Sequence, residues 1–115
     1  MEYNSDFSHD LKIGQDEEVW LGSLLQSKTV EVKRDFKCGS TGNVFVEYES
    51  RGKPSGLGTS LADFWAFILD GQRVVIVPTE HLKRVAMVYY NQNKVVTGGD
   101  SNTSKGVLVP VKELL

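Results

Sequence analysis

The chain has 115 residues, of which 40% are hydrophobic and 24% are charged, and its formal net charge is −2. These values fit a single globular domain, residues 1–115, that buries a sizeable core without cross-links. They argue against a membrane-spanning protein, because no apolar run approaches ~18 residues, and against a protein that coats nucleic acid. One cysteine and two histidines argue against internal disulfides and Cys/His zinc sites, so we expect a reducing, cytoplasmic setting.

The N-terminal part begins with a polar stretch and continues into a predicted helix. Residues 1–10 lack hydrophobic periodicity, and we expect a loose arm there. The segment GQDEEVWLGSLLQS is typical of a helix that starts with acidic residues and carries an apolar stripe. The stripe consists of Trp20, Leu21, Leu24 and Leu25. Glu18 precedes two of these residues by three and seven positions, so it is predicted to share their inward face.

Two alternating segments then predict a β-hairpin closed by the turn sequence KCGSTG. In KTVEVKRDF, we expect the apolar face to point to the core, and it consists of Val30, Val32 and Phe36. The opposite face of this strand consists of Glu31, Lys33 and Asp35. In NVFVEYES, one face consists of Val44, Val46 and Tyr48, and the other of Phe45, Glu47 and Glu49.

The remaining segments complete a mixed α/β pattern. LADFWAFIL and QRVVIVP predict two strands, of which the second is expected to be buried. TEHLKRVAMVYYN predicts a helix with Thr79 as its N-cap, and the C-terminal segment predicts two short strands around a loop. The element order therefore predicts one α/β domain, with helices packed on a central sheet.

The charged faces of the predicted hairpin suggest a cation site. If the two faces coincide, up to four carboxylates and one ammonium share a patch that is two strands wide. Neighbouring strands lie about 4.8 Å apart. Like charges at this spacing repel, and a divalent cation removes that cost. Mg²⁺ commonly takes one or two carboxylates and fills its remaining positions with water and phosphate oxygens. The spacing alone also fits a solvated sheet face with alternating charges.

These segments resemble the PD-(D/E)XK nucleases, the restriction-endonuclease-like superfamily that includes Holliday-junction resolvases and many phage nucleases. FSHDLKIGQDEEVWLGSLL is similar to the superfamily's first helix, and VEVKRD with TGNVFVEYES is similar to its metal-binding hairpin. GKPSGLGTSLADFWAFIL is similar to a segment of phage-type members. The resemblance implies a mixed central β-sheet flanked by helices, dependence on Mg²⁺ or Mn²⁺, and hydrolysis of phosphodiester bonds in DNA.

Carried over by position, the resemblance assigns the metal ligands to Asp35, Glu47 and Glu18. The superfamily has lysine two residues after the second-strand acid, whereas this chain has Glu49. Lys33 would supply the missing ammonium from the neighbouring strand, so the implied catalytic set is Glu18, Lys33, Asp35, Glu47 and Glu49. A literal E-x-K also occurs at 31–33, but it needs an aspartate on a preceding strand, and only Asp10 and Asp16 lie nearby.

The implied function is a metal-dependent DNA endonuclease, structure-specific for branched DNA, in the cytoplasm of a bacterium or phage-infected host. A homodimer would let such an enzyme cut two strands symmetrically. The basic residues expected to contact backbone phosphates are Arg34, Lys37, Arg51 and Lys53. The alternative is a non-catalytic nucleic-acid-binding or interaction protein on the same fold, in which Glu49 marks a degenerate site.

Overall fold

The computed structural model describes residues 3–34, 41–70 and 73–115. Within these ranges it contains two α-helices, α1 (Tyr3–Leu25) and α2 (Thr79–Asn91). The strands are β1 (Val30–Arg34), β2 (Asn43–Ser50), β3 (Lys53–Pro54), β4 (Phe64–Ile68), β5 (Val74–Pro78), β6 (Val95–Gly98) and β7 (Ser104–Pro110). Short 3₁₀ helices cover Gly56–Gly58, Asp100–Asn102 and Val111–Leu114.

The described strands form two sheets instead of the single central sheet that the sequence predicts. One sheet has the order β1-β4-β5, and the other has the order β3-β2-β7-β6. β1 pairs in parallel with β4, whereas β2 pairs antiparallel with β3 and β7. The predicted hairpin between β1 and β2 is therefore wrong, although the mixed α/β class is confirmed.

The core lies where the two sheets and α2 meet. The three-stranded sheet contributes Trp65, Phe67 and Val77, all at most 1% exposed. The four-stranded sheet contributes Val44, Val46, Val107 and Val109 to the same cluster, and α2 adds Leu82 and Ala86. Burial of the Val44 and Val46 face of β2 confirms the predicted alternation of that strand. Because one cluster spans both sheets, the sheets form one packed body.

β1 shows the opposite orientation from the one predicted. Val30 and Val32 are 41% and 57% exposed. Glu31 and Lys33 instead lie in register with Trp65 and Phe67 of β4, so they share the core-facing side of the sheet. Strand alternation correctly separates the two sets of residues, but the tertiary packing reverses which set faces inward.

The N-terminal helix also differs from the prediction. α1 begins at Tyr3 and therefore includes residues 3–10, which lack helical periodicity in the sequence. The predicted inward stripe is open to solvent, with Trp20 64%, Leu21 48% and Leu24 40% exposed. No helix in the described ranges combines the length and the apolarity needed to cross a membrane.

The second half of the chain follows the predicted order. β4, β5, α2, β6 and β7 all form where the pattern indicates, but Val74 and Ile76 of β5 are half exposed, so this strand is buried on one face only. Thr79 is the first residue of α2 and not its N-cap, which is Pro78. Its buried hydroxyl donates to the carbonyl oxygen of Ala62 at 2.6 Å and ties α2 to the segment before β4.

Candidate functional site

An open cleft lies between the two sheets at the edge formed by β1. We call it the Glu47 cleft; it has a volume of about 420 Å³, and its charged lining residues are Glu31, Lys33 and Glu47. The segments that precede β1 and β4 form its rim through Thr29, Thr59 and Ser60. A smaller cleft of about 170 Å³ shares Lys33 and Glu47 with it. Acidic and basic side chains from different sheets thus line one solvent-accessible cleft.

β1 brings its charged face to the cleft because it is an edge strand. Residues 31 and 33 point to the core side, but no strand of the described chain covers the far side of β1. Their polar groups therefore reach solvent while their stems pack inward. Lys33 Nζ lies 3.3 Å from Glu31 Oε1 and 5.9 Å from the centre of the Trp65 ring. These contacts orient the ammonium beside the cleft.

Glu47 is positioned by the loop that follows β2 and β3. Ser55 Oγ donates a hydrogen bond to Glu47 Oε2 at 2.8 Å. Gly56 packs against the Glu47 backbone, where a Cβ atom would come within 2.4 Å of the carbonyl oxygen. The loop therefore holds the carboxylate in place and also needs glycine at its closest approach.

Glu49 lies outside the Glu47 cleft. A β-bulge interrupts the pairing with β7 between Glu47 and Glu49, so the two acids are not simple neighbours on one face. Glu49 Oε2 instead lies 3.4 Å from Lys105 Nζ on β7. The carboxylate of Glu49 therefore pairs with a lysine of β7 and does not line the Glu47 cleft.

Asp63 fixes the rim of the cleft. Its carboxylate accepts hydrogen bonds from the Thr29 amide at 2.9 Å and from the Thr29 hydroxyl at 3.2 Å. The Thr29 amide is the main cause of a lowered pKa for Asp63, opposed by desolvation and supported by the hydroxyl. The Trp65 indole donates to Ser60 Oγ at 3.2 Å on the same rim.

The structure brings together only part of the predicted catalytic set. Lys33 and Glu47 line one cleft, and Glu31 joins them. Asp35 lies outside the described residues, so its distance to Glu47 stays untested. Glu18 is exposed on α1 and does not line the cleft, so its predicted inward orientation is wrong.

The predicted phosphate contacts are dispersed. Arg34 lines the smaller cleft beside Lys33 and Glu47. Arg51 lies in the exposed turn between β2 and β3, Lys53 begins β3, and neither lines the two clefts that contain Glu47. Lys37 lies outside the described residues. Among the described members of this group, Arg34 is the one that lines a cleft with Lys33 and Glu47.

The donor set can be compared with what Mg²⁺ requires. Among residues 3–34, 41–70 and 73–115, no group of three or more Asp, Glu, His or Cys side chains is arranged to hold a metal ion. The Glu47 cleft contains two carboxylates, from Glu31 and Glu47. Two carboxylates are the number that Mg²⁺ commonly takes from a protein, with water and phosphate oxygens in its other positions.

Several contacts of the site were missed by sequence reasoning. Ser55, Thr59 and Ser60 belong to the segment KPSGLGTS, which pattern alone identifies only as a loop. The concentration of hydroxyl residues immediately after an acidic strand was the available signal, since such loops often carry binding groups.

Comparison with known proteins adds no relative: no family model, curated protein or solved structure matches this chain. The resemblance to PD-(D/E)XK nucleases thus stays a prediction from the sequence segments.

Proposed function

We propose that the chain is a divalent-metal-dependent DNA endonuclease with a restriction-endonuclease-like fold, whose active site is the Glu47 cleft. The observation that supports the proposal best is the convergence of Glu31, Lys33 and Glu47 from two separate sheets on one open cleft. Carboxylates beside an ammonium are the groups that hold a cation and a phosphate together.

Each side chain has a role that follows from its contacts. Glu47, which is held by Ser55, would bind the cation together with Asp35, the aspartate that the nuclease resemblance assigns. Glu31 is the second carboxylate that lines the cleft among the described residues. Mg²⁺, when bound, would activate water and neutralise charge on the scissile phosphate. Lys33 would donate to a phosphate oxygen, exchanging its pairing with Glu31 for the substrate.

Nicking of supercoiled and branched DNA with Mg²⁺ or Mn²⁺ tests this proposal. We expect Glu47→Gln and Lys33→Met each to lower the rate by about 100-fold or more, because each removes a charge that acts on the reacting phosphate. Asp35→Ala should be inactive for the same reason. Removal of the metal with a chelator should abolish nicking by the wild type.

Glu49→Gln is the matched control for these variants. It makes the same kind of change on the same strand, but Glu49 pairs with Lys105 and lies outside the cleft. Its nicking rate should stay within about threefold of the wild type. Nicking that survives Glu47→Gln, or that falls equally in Glu49→Gln, would contradict the site assignment.

The second candidate is a nucleic-acid-binding protein without catalysis. The observation that favours it is the neutralisation of acidic groups by lysine, since Lys33 pairs with Glu31 and Lys105 with Glu49. Such a protein would bind DNA equally well with and without Mg²⁺ and would never nick it. Its affinity would fall steeply with salt, because phosphate contacts release counterions.

A further inference from the structure

The outward side of the β1-β4-β5 sheet is apolar and open to solvent along its two flanking strands, whereas Phe64 and Ala66 of the central strand are buried. Across the sheet, Val32 lies in register with Ala66 and Ile76, and Arg34 with Ile68 and Val74. The residues of the two flanking strands are open to solvent: Val30 41%, Val32 57%, Val74 52% and Ile76 49%. Contiguous apolar surfaces of this kind are uncommon on monomers and usually contact another chain or element. We call this surface the outer sheet face.

α1 carries a second exposed apolar surface in the same chain. Trp20, Leu21 and Leu24 lie within about 100° of one another around the helix, and they are 40–64% exposed. We call this surface the α1 stripe. Because both the stripe and the outer sheet face are open to solvent, α1 does not cover the sheet of its own chain.

We propose that two copies of the chain pair by exchange, with the α1 stripe of each copy packed on the outer sheet face of the other. The dimensions of the two surfaces agree. A helix is about 10 Å wide, and three strands span about 10 Å. Asp16 to Leu25 rises about 13.5 Å, and Val30 to Arg34 spans about 13 Å. One helix therefore covers one sheet face.

The charges at the ends of the two surfaces are complementary. Asp16 and Glu17 lie about one turn before the α1 stripe. Arg34 ends β1 and Arg73 precedes β5, and the register of both strands with β4 places these residues at the same end of the sheet. Arg73 also pairs with Asp70 of its own chain, with 2.6 Å between Nη2 and Oδ2. The acids meet the arginines when the partner's helix runs antiparallel to β1. The arrangement thus has a defined direction as well as an apolar contact.

The link between α1 and β1 favours a second copy over closure within one chain. Only residues 26–29 join the two elements. Lys28 N–H donates to Leu25 O at 3.1 Å, and Asp63 anchors Thr29 at the start of β1. Folding α1 back onto the outer sheet face of the same chain would require this four-residue link to reverse direction. Exchange between two copies keeps the link and buries two identical contacts, which closes the pair by twofold symmetry.

Light scattering coupled to gel filtration of the full chain tests the proposal. The wild type should have about twice the 12.8 kDa mass of one chain. Leu24→Lys on the stripe and Ile76→Lys on the sheet should each halve that mass, because each change disrupts both contacts of the symmetric pair. Circular dichroism should show that both variants stay folded, since both positions are solvent-exposed in one chain.

Two exposed valines provide matched controls. Val88→Lys alters α2, where Val88 is 52% exposed, and it should leave the dimer intact. Val19→Lys alters the side of α1 about 140° from Leu24, and it should also leave the dimer intact. A monomeric wild type would overturn the proposal. It would do so also if the fluorescence of Trp20 indicated a buried indole, which would mean that α1 packs on the sheet of its own chain. Dimers that persist in both Leu24→Lys and Ile76→Lys would also overturn it.

Mixing the two disrupted variants distinguishes exchange from other interfaces. A heterodimer of Leu24→Lys with Ile76→Lys combines both changes in one contact and keeps the other contact wild type. The mixture should therefore regain dimers that neither variant forms alone. A mixture that stays monomeric would overturn the exchange.

Discussion

At the scale of single residues, the pairing of Thr29 with Asp63 determines how β1 joins the rest of the molecule. Two hydrogen bonds run from Thr29 to the Asp63 carboxylate. The Asp63 amide in turn approaches the Thr29 carbonyl at 3.0 Å and its hydroxyl at 3.1 Å. The starts of β1 and β4 are thereby joined in the parallel register that brings Lys33 to the cleft.

This pairing predicts a specific pH dependence of stability. The pKa of Asp63 is lower in the folded chain than in the unfolded chain, so its contribution is complete above the ordinary aspartate pKa of about 3.9 and is lost as the pH falls through the lower, folded value. Urea unfolding across acidic pH should show a smaller acid-induced loss of stability in Asp63→Asn than in the wild type.

Thr29→Val is the control for that measurement. It removes the hydroxyl but keeps the backbone amide, which is the main cause of the lowered pKa, so most of the acid dependence should remain. If the free energy of unfolding of Asp63→Asn depends on pH in the same way as that of the wild type, the Asp63 carboxylate does not stabilise the contact between the starts of β1 and β4.

At the scale of elements, the 3₁₀ turn at Gly56–Gly58 is packed tightly against β2. Leu57 is buried in the core, and Gly56 and Gly58 approach the backbone of Glu47 and Tyr48. Gly56 also has a positive φ of 52°, which an L side chain adopts at a cost. The turn and β2 therefore fix each other, and Glu47 is held between them.

We expect Gly56→Ala to destabilise the fold by roughly 3 kcal/mol, because backbone strain adds to a clash with Glu47. Gly52→Ala provides the comparison, since Gly52 has a φ of 79° but open space around it. It should lose only about 1 kcal/mol. Urea denaturation measures both, and equal losses would show that close packing at Gly56 does not matter.

At the scale of the whole molecule, one core joins two sheets that share no strand pairing. Trp65 and Phe67 of the three-stranded sheet belong to the same buried cluster as Val46 and Val107 of the other sheet. Leu82 of α2 is fully buried in this cluster. Neither sheet can keep its buried face without the other, so the two should unfold together.

Trp20→Phe leaves Trp65 as the sole tryptophan and makes this cooperativity measurable. At one protein concentration, the urea transition followed by Trp65 fluorescence should coincide with that followed by far-ultraviolet circular dichroism. Leu82→Ala should shift both transitions together by about 2–5 kcal/mol. Separate midpoints for the two probes would indicate that the sheets unfold independently.

The amino-acid sequence by itself determined most of the elements of this protein. β2, β4, β5, α2, β6 and β7 form where local patterns predict them, because periodicity and turn residues act over a few positions. Alternation also separated Glu31 and Lys33 from the valines of β1. The charged residues that meet in the cleft were therefore recognisable as a group, while their proposed role stays a prediction.

Only the tertiary structure decided which strands pair and which faces turn inward. A strand pattern is the same whether its partner is the next strand or a distant one, so it could not show that β1 joins β4 in place of β2. It also could not reveal that the charged side of β1 faces Glu47, or that the apolar side of α1 stays open. Those choices depend on long-range packing of whole faces, which no short stretch of sequence contains.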